Sequence, residues 1–137
     1  MSFKIQNVEI GGETPFFLLG PCSLENEDFA WEMARSIKEI CARVGVPFIF
    51  KASYDKANRT SVKSFRGPGI QEGCRILAEI GKELQCPVVT DVHTEQQAEY
   101  AAQYVDLLQV PAFLSRQSVL KSTDNLARKR CGNHKKQ

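Results

Sequence analysis

The sequence contains no Gly-x-Gly-x-x-Gly fingerprint and no Walker-type loop, which argues against a nucleotide-binding fold. No apolar run approaches the roughly 20 residues that a helix needs to cross a bilayer. The first residues, Met1 to Asn7, have no apolar core of signal-peptide type. Cys-x-x-Cys pairs are absent, and the five cysteines (Cys22, Cys41, Cys74, Cys86, Cys131) are odd in number. Free thiols in a reducing compartment fit that pattern better than a disulfide framework, and a cytoplasmic location is the expectation.

What is present is an ordinary globular composition, 42% hydrophobic and 25% charged over 137 residues, enough for one domain or a piece of one. The net charge of +2 hides an asymmetry. Residues 118–137 hold six Lys/Arg against the single acid Asp124, whereas the first 117 hold 12 bases and 15 acids.

Apolar periodicity divides the first part into a regular alternation. Phe3 to Gly12 reads as a small β-ribbon, and Phe16 to Leu19 as a strand closed by Gly20-Pro21. Asn26 caps a helix whose face is Phe29, Met33, Ile37, Ile40, Cys41 and Val44, ended by Gly45. Pro47 to Phe50 is the next strand. A second helix starts near Ile70, with Ile70, Cys74, Leu77, Ile80 and Leu84 inward and Gln71, Glu72, Arg75, Glu79 and Glu83 outward. Pro87 to Thr90 is a third strand. Thr94-Glu-Gln-Gln97 is a capping-box pattern that opens a helix with a small buried face, Ala98, Ala101 and Ala102. Asp106 to Val110 is a fourth strand. Strands this short and apolar, separated by helices, imply an α/β fold with a parallel sheet, either doubly wound or a (β/α) barrel.

Polar residues gather after every strand: Cys22, Ser23 and Glu25; the loop from Lys51 to Arg66; Asp91, His93 and Thr94; and Gln109, Ser115 and Arg116. Parallel-sheet enzymes place their sites at that end. The longest loop carries Lys51, Lys56, Arg59, Lys63 and Arg66 with hydroxyls between them, which suits a ligand with more than one anionic group, or else a solvated basic surface. Cys22 reads as a metal ligand, a nucleophile or a small buried thiol; Cys41, Cys74 and Cys86 read as packing. Asp91 and His93, two residues apart, would share a face and serve hydrogen bonding or proton transfer, or simply brace a loop. Gln109 is a neutral donor or a plain strand end. Gly67-Pro68-Gly69 presents backbone N–H groups to an anion or merely turns the chain.

Five stretches in order carry a resemblance: Gly20-Pro-Cys-Ser-Leu-Glu25, Phe50 to Ser61, Phe65-Arg-Gly-Pro-Gly69, Thr90-Asp-Val-His93 and Gln109 to Gln117. Residues 1–117 resemble the N-terminal half of 3-deoxy-D-manno-octulosonate 8-phosphate synthase (2-dehydro-3-deoxyphosphooctonate aldolase). That family condenses phosphoenolpyruvate with arabinose 5-phosphate on a TIM barrel, for lipopolysaccharide synthesis. A related family, 3-deoxy-arabino-heptulosonate 7-phosphate synthase, shares Gly-Pro-Cys-Ser but carries a loop like Lys-Pro-Arg-Thr-Ser, and Lys56-Ala-Asn-Arg-Thr60 sides with the former.

The resemblance implies the first four β/α units of an eightfold barrel. It implies Lys51 and Lys56 on phosphoenolpyruvate, with Asn58, Arg59 and Thr60 on the sugar phosphate. It puts Asp91 and His93 at the sugar and Gln109 at phosphoenolpyruvate. Phe113 and Arg116 would reach a neighbouring subunit of a homotetramer. Cys22, where a metal-free branch has Asn, implies a divalent metal of zinc or iron type. Thr60 stands where the family often has Ser.

After Gln117 the resemblance ends. The basic run 118–137 is expected to be a non-family tail left by a frame change or a truncated reading frame, and the chain alone is expected to be inactive. A nucleic-acid-binding arm is a weaker reading, because no aromatic residue interleaves Arg128-Lys-Arg130 and Lys135-Lys136. A non-enzymatic barrel fragment that pairs with itself or with a full-length subunit is the other alternative.

Overall fold

The structure is a computed structural model and describes residues 2–55 and 67–111. A ribbon of two antiparallel strands, β1 (Phe3–Ile5) and β2 (Val8–Ile10), comes first. Then β3 (Phe17–Leu19), α1 (Glu27–Val44), β4 (Phe48–Lys51), α2 (Ile70–Leu84), β5 (Val88–Asp91), α3 (Glu95–Ala101) and β6 (Leu107–Gln109) alternate. β3, β4, β5 and β6 form one parallel sheet in that spatial order. The order never reverses, so no switch point of the doubly wound kind exists among the described residues.

Local chemistry explains the element ends. Asn26 Oδ1 accepts from the Phe29 amide at 2.8 Å at the start of α1, and Gly45, in the left-handed region, returns its N–H to the Cys41 carbonyl. Thr94 Oγ1 accepts from the Gln97 amide at 3.2 Å, while Gln97 Oε1 accepts from the His93 amide at 2.9 Å. The expected capping box thus forms with its return bond one residue early.

The faces follow the two-residue repeat of the strands. Phe48, Phe50 and Val88 pack with α1, α2 and α3 in one core. Ile49 and Val89 point the other way and pack with Val8 of the ribbon, joined by Ile10, Phe16 and Leu107. All three crossover helices therefore cover one face, and the ribbon covers the start of the other. Of the stripe expected for α2, Cys74, Leu77, Ile80 and Leu84 are buried and Ile70 is half-buried, with Ile76 added to it, and each large aliphatic side chain removed from water contributes about 1.5–3 kcal/mol.

Two expectations are corrected. The α1 stripe is not uniformly buried: Ile40 and Val44 are 50% and 65% exposed, and the helix seats itself instead on Ala30, Ala34 and Cys41. Small residues let α1 approach the sheet closely, and periodicity marks an apolar arc without saying what covers it. β3 was expected to be shielded from solvent, yet Phe17 and Leu18 are 43% and 50% exposed. Among the described residues this strand has a neighbour on one side only, and β3 and β6 are the edges of the sheet. Among the described residues no helix is long and apolar enough to cross a membrane. The proposed tail 118–137 lies outside the described residues.

Candidate active-site rim

Ile49, Val89 and Leu107 share the face that carries the ribbon, with Val89 level with Leu107 and Ile49 one step below them. Two residues further along each strand, on the same face, stand Lys51, Asp91 and Gln109. The register pairs Asp91 with Gln109 directly, and Lys51 with Val89. Three polar side chains thus stand at the ends of three neighbouring strands in a stagger, Lys51 level with Val89 and Leu107, and Asp91 and Gln109 one step above. Lys51 and Asp91 are half-buried and Gln109 is exposed.

The side chains around this row are fixed by short-range bonds. Lys51 Nζ lies 3.4 Å from Ser53 Oγ, a hydroxyl that strand reading alone did not single out. His93 Nε2 lies 3.4 Å from Asp91 Oδ2, with 19% and 15% of the two side chains exposed. The other oxygen of Asp91, Oδ1, is buried and has no hydrogen-bond partner among the described residues. A buried carboxylate oxygen without a donor is an unmet acceptor at the rim. Beneath it, Thr90 Oγ1 donates to the Ala52 carbonyl at 2.8 Å, tying the end of β5 to the chain leaving β4.

The first loop is drawn onto the same rim. A Cβ on Gly20 would fall 1.8 Å from the Lys51 carbonyl oxygen, so only glycine lets β3 end against β4 here. The Leu24 amide donates to the Ser53 carbonyl at 3.0 Å, and Leu24 is fully buried. Cys22 lies between these two anchors and is exposed, which removes the reading of a small buried thiol. Cys41, Cys74 and Cys86 are buried, as their helical and strand positions implied. Burial pushes the thiols of Cys74 and Cys86 up to about 11.

A tetrahedral zinc or iron site needs about four donors. Among the described residues no group of three or more His, Cys, Asp and Glu gathers to hold one. Cys22 does not make a metal site with the residues described, and a metal there would need donors from outside them. Lys56, Asn58, Arg59, Thr60, Phe113 and Arg116 also lie outside the described residues.

The loop after β4 was read as polar from Lys51 onward, but Ala52, Ser53 and Tyr54 are buried. The chain turns inward over these three residues. Tyr54 packs against Gly73 of α2, where an added Cβ would come within 2.3 Å of the Tyr54 Cβ. The visible signal was an aromatic residue close behind a strand end, with a glycine in an otherwise good helix.

A hollow of about 570 Å³ opens at the opposite end of the sheet, with Gln6, Lys82, Gln85, Tyr104 and Asp106 in its wall. Its one acid is engaged structurally: Asp106 accepts from Gln6 Nε2 at 3.1 and 3.2 Å and from the Val88 amide at 2.9 Å. Among the described residues the hollow is lined by no His or Cys, so the rim is the better candidate for chemistry.

A model of the DAHP synthetase I family matches residues 2–129. Among curated proteins the chain is similar to "2-dehydro-3-deoxyphosphooctonate aldolase" of Koribacter versatilis (strain Ellin345), at 55% identity over 118 residues, covering 86% of this chain and 42% of that protein. The protein of the same name from Acidithiobacillus ferrooxidans (strain ATCC 53993 / BNL-5-31) is 54% identical over 116 residues, covering 84% and 41%. That of Rickettsia canadensis (strain McKiel) is 47% identical over 118 residues, covering 85% and 43%. The chain spans about two-fifths of the length of the curated relatives it matches.

Proposed function

The chain belongs to the DAHP synthetase I family, and from that premise we propose that it forms the substrate-binding wall of an enzyme condensing phosphoenolpyruvate with D-arabinose 5-phosphate. Water is consumed, and the products are 3-deoxy-D-manno-octulosonate 8-phosphate and phosphate, a step of lipopolysaccharide biosynthesis. The name shared by its relatives, at about half identity, supports this substrate pair. In this reading the four parallel strands, in consecutive order with every helix on one face, are the first four units of a (β/α)8 barrel wall.

The observation that carries the proposal is that Lys51, Asp91 and Gln109 end three neighbouring strands on one face, Asp91 beside Gln109 and Lys51 one step below, next to the apolar Ile49, Val89 and Leu107. In the reaction the enol carbon of phosphoenolpyruvate bonds to the sugar aldehyde carbon. The aldehyde oxygen takes up a proton, water adds at the neighbouring carbon, and the resulting hemiketal phosphate collapses by breaking its carbon–oxygen bond, so that the phosphate leaves with the bridging oxygen and a ketone remains. The protein's task is to hold two anionic substrates together in a dry place. The Lys51 ammonium neutralises the phosphoenolpyruvate anion, and the Gln109 amide donates to it. Asp91 Oδ1, unmet in the fold, accepts from a sugar hydroxyl, and His93 braces the other carboxylate oxygen. Lys56, Asn58, Arg59 and Thr60 carry the sugar phosphate by resemblance, and Phe113 and Arg116 the subunit contact. No step is assigned to a metal at Cys22.

The rival reading is the heptulosonate synthase, whose seven-carbon product implies a four-carbon aldose phosphate. Equilibrium binding separates the two. With phosphoenolpyruvate present, arabinose 5-phosphate is expected to bind at least about tenfold more tightly than the four-carbon sugar phosphate. Tighter binding of the four-carbon sugar would overturn the proposal.

A further inference from the structure

We propose that Gln97 is a positioning residue of the rim: its side-chain carbonyl holds the His93 amide, so that the His93 ring meets Asp91 Oδ2 and Oδ1 keeps its direction toward the sugar. What Oδ1 binds rests on the synthase reading; that Gln97 sets the pair of His93 and Asp91 does not.

The segment after β5 alternates, and each step is secured differently. Asp91 and His93 are half-buried, and Val92 between them is fully buried in the core that α3 shares. The Val92 amide donates to the Gln109 carbonyl at 3.0 Å, which carries the ladder with β6 one residue further. The hold of the sheet ends there. Among the described residues no backbone carbonyl takes the next amide, that of His93. Gln97 Oε1 takes it instead, at 2.9 Å.

The choice of amide carries the argument. One half of the cap of α3 is ordinary, with the Gln97 amide donating to Thr94 Oγ1 at 3.2 Å. In an ordinary capping box the side chain at the position of Gln97 returns to the N-cap amide, which here is that of Thr94. Gln97 reaches one residue further back, to the residue whose ring touches Asp91. Capping the helix does not require that. The bond fixes the peptide between Val92 and His93, and with it the direction in which the His93 side chain leaves the chain. The acceptor is itself carried on a firm support, because α3 is seated through the buried Ala98 and Ala101.

The effect passes through His93 to Asp91. A carboxylate turns readily about its last bond unless one oxygen is held. His93 Nε2 stands 3.4 Å from Oδ2, while Oδ1 has no partner among the described residues. Without the Gln97 carbonyl the half-buried His93 amide has to turn to water, and the ring turns with it. The sugar then has to order the carboxylate itself, and its affinity falls. Phosphoenolpyruvate, held by Lys51 and Gln109, is not affected.

Two measurements on the 137-residue chain test this. In the first, the ring proton resonances of His93 are followed by NMR, His134 being the one other histidine. Asp91→Asn is expected to move them in the wild-type background and to leave them nearly unmoved in a Gln97→Met background, where the length is kept and the carbonyl is gone. Gln97→Glu, which keeps an acceptor, should restore the response. Ala98→Gly, which weakens α3 with its cap left whole, should not diminish it. In the second, calorimetric titration should show arabinose 5-phosphate bound at least about tenfold more weakly by Gln97→Met and within about threefold of wild type by Gln97→Glu, with phosphoenolpyruvate affinity unchanged in both. An undiminished response in Gln97→Met, an equal loss in Ala98→Gly, or sugar affinity unchanged by Gln97→Met would each overturn the proposal. If the wild-type chain binds no sugar phosphate while the resonances behave as expected, the positioning by Gln97 stands and the synthase reading falls.

Discussion

Replacing Tyr54 with Phe is predicted to stabilise this protein, although it removes a polar group from a family-like motif. Tyr54 is 1% exposed, one of the largest fully buried side chains in the fold. Its hydroxyl is buried and has no hydrogen-bond partner among the described residues. In the unfolded chain that hydroxyl is hydrated, so folding strips it of water and returns nothing. An unpaired buried polar group costs about 1–3 kcal/mol. Phe keeps the ring against Gly73 and leaves only a hydroxyl-sized gap, so the net gain is about 1 kcal/mol, or about 3–5 °C in Tm for a chain of this size. Thermal unfolding at pH 7 and a urea titration with unchanged slope would measure it. A second arm uses pH. Burial first, then Cys74, Asp91 and Asp55, push the phenol well above the usual tyrosine range. The unfolded phenol ionises above about pH 10 while the folded one does not, so wild-type stability declines as pH rises past that value, and Tyr54→Phe lacks this component. If Tyr54→Phe instead lowers Tm by several degrees, the hydroxyl is bonded in the folded protein and the reasoning fails.

Gly73→Ala should be destabilising by about 1–3 kcal/mol or more, because its methyl meets the Tyr54 Cβ at 2.3 Å and α2 must shift; a denaturant midpoint within error of wild type would contradict it. Asn26→Ala removes the cap bond to the Phe29 amide and should cost about 1 kcal/mol, read by the same titration. The buried thiols of Cys74 and Cys86, pushed up from 9.0 to about 11, stay protonated in the fold while the unfolded thiols ionise. Stability should therefore fall between about pH 9 and 11, and Cys74→Ala should shallow that fall, once its cavity cost at pH 7 is subtracted.

The parts of this fold that were legible in the sequence are those set by local pattern. The bounds of β3, β4, β5 and β6 follow from short apolar runs bordered by proline, glycine or aspartate, and the structure shifts them by a residue or so. Asn26, Gly45 and Thr94 act as the caps their chemistry implied. What could not be read was which apolar groups find partners. Ile40 and Val44 keep the helical period yet face outward, and Ala30 and Ala34, too small to weigh in a hydrophobic stripe, carry the contact. Tyr54 was hidden in a polar run, because burial there depends on Gly73, 19 residues away. Arg75 was expected simply to face water; it bridges Glu27, Glu72 and Glu79 at 2.6–2.8 Å. At the rim, the two-residue spacing of Asp91 and His93 foretold their contact, and the strand ends placed Lys51 and Gln109 beside them. The orphaned Asp91 oxygen and the Ser53 hydroxyl needed coordinates.

The central claim is that Lys51, Asp91 and Gln109 stand at one end of the sheet and that Lys51 and Gln109 hold phosphoenolpyruvate there. Calorimetric titration of phosphoenolpyruvate into wild type, Lys51→Ala and Lys82→Ala addresses it most directly, since Lys82 lines the hollow at the other end. The account predicts at least about a tenfold loss of affinity for Lys51→Ala and none for Lys82→Ala. Unchanged binding by Lys51→Ala, or loss with Lys82→Ala alone, would contradict it.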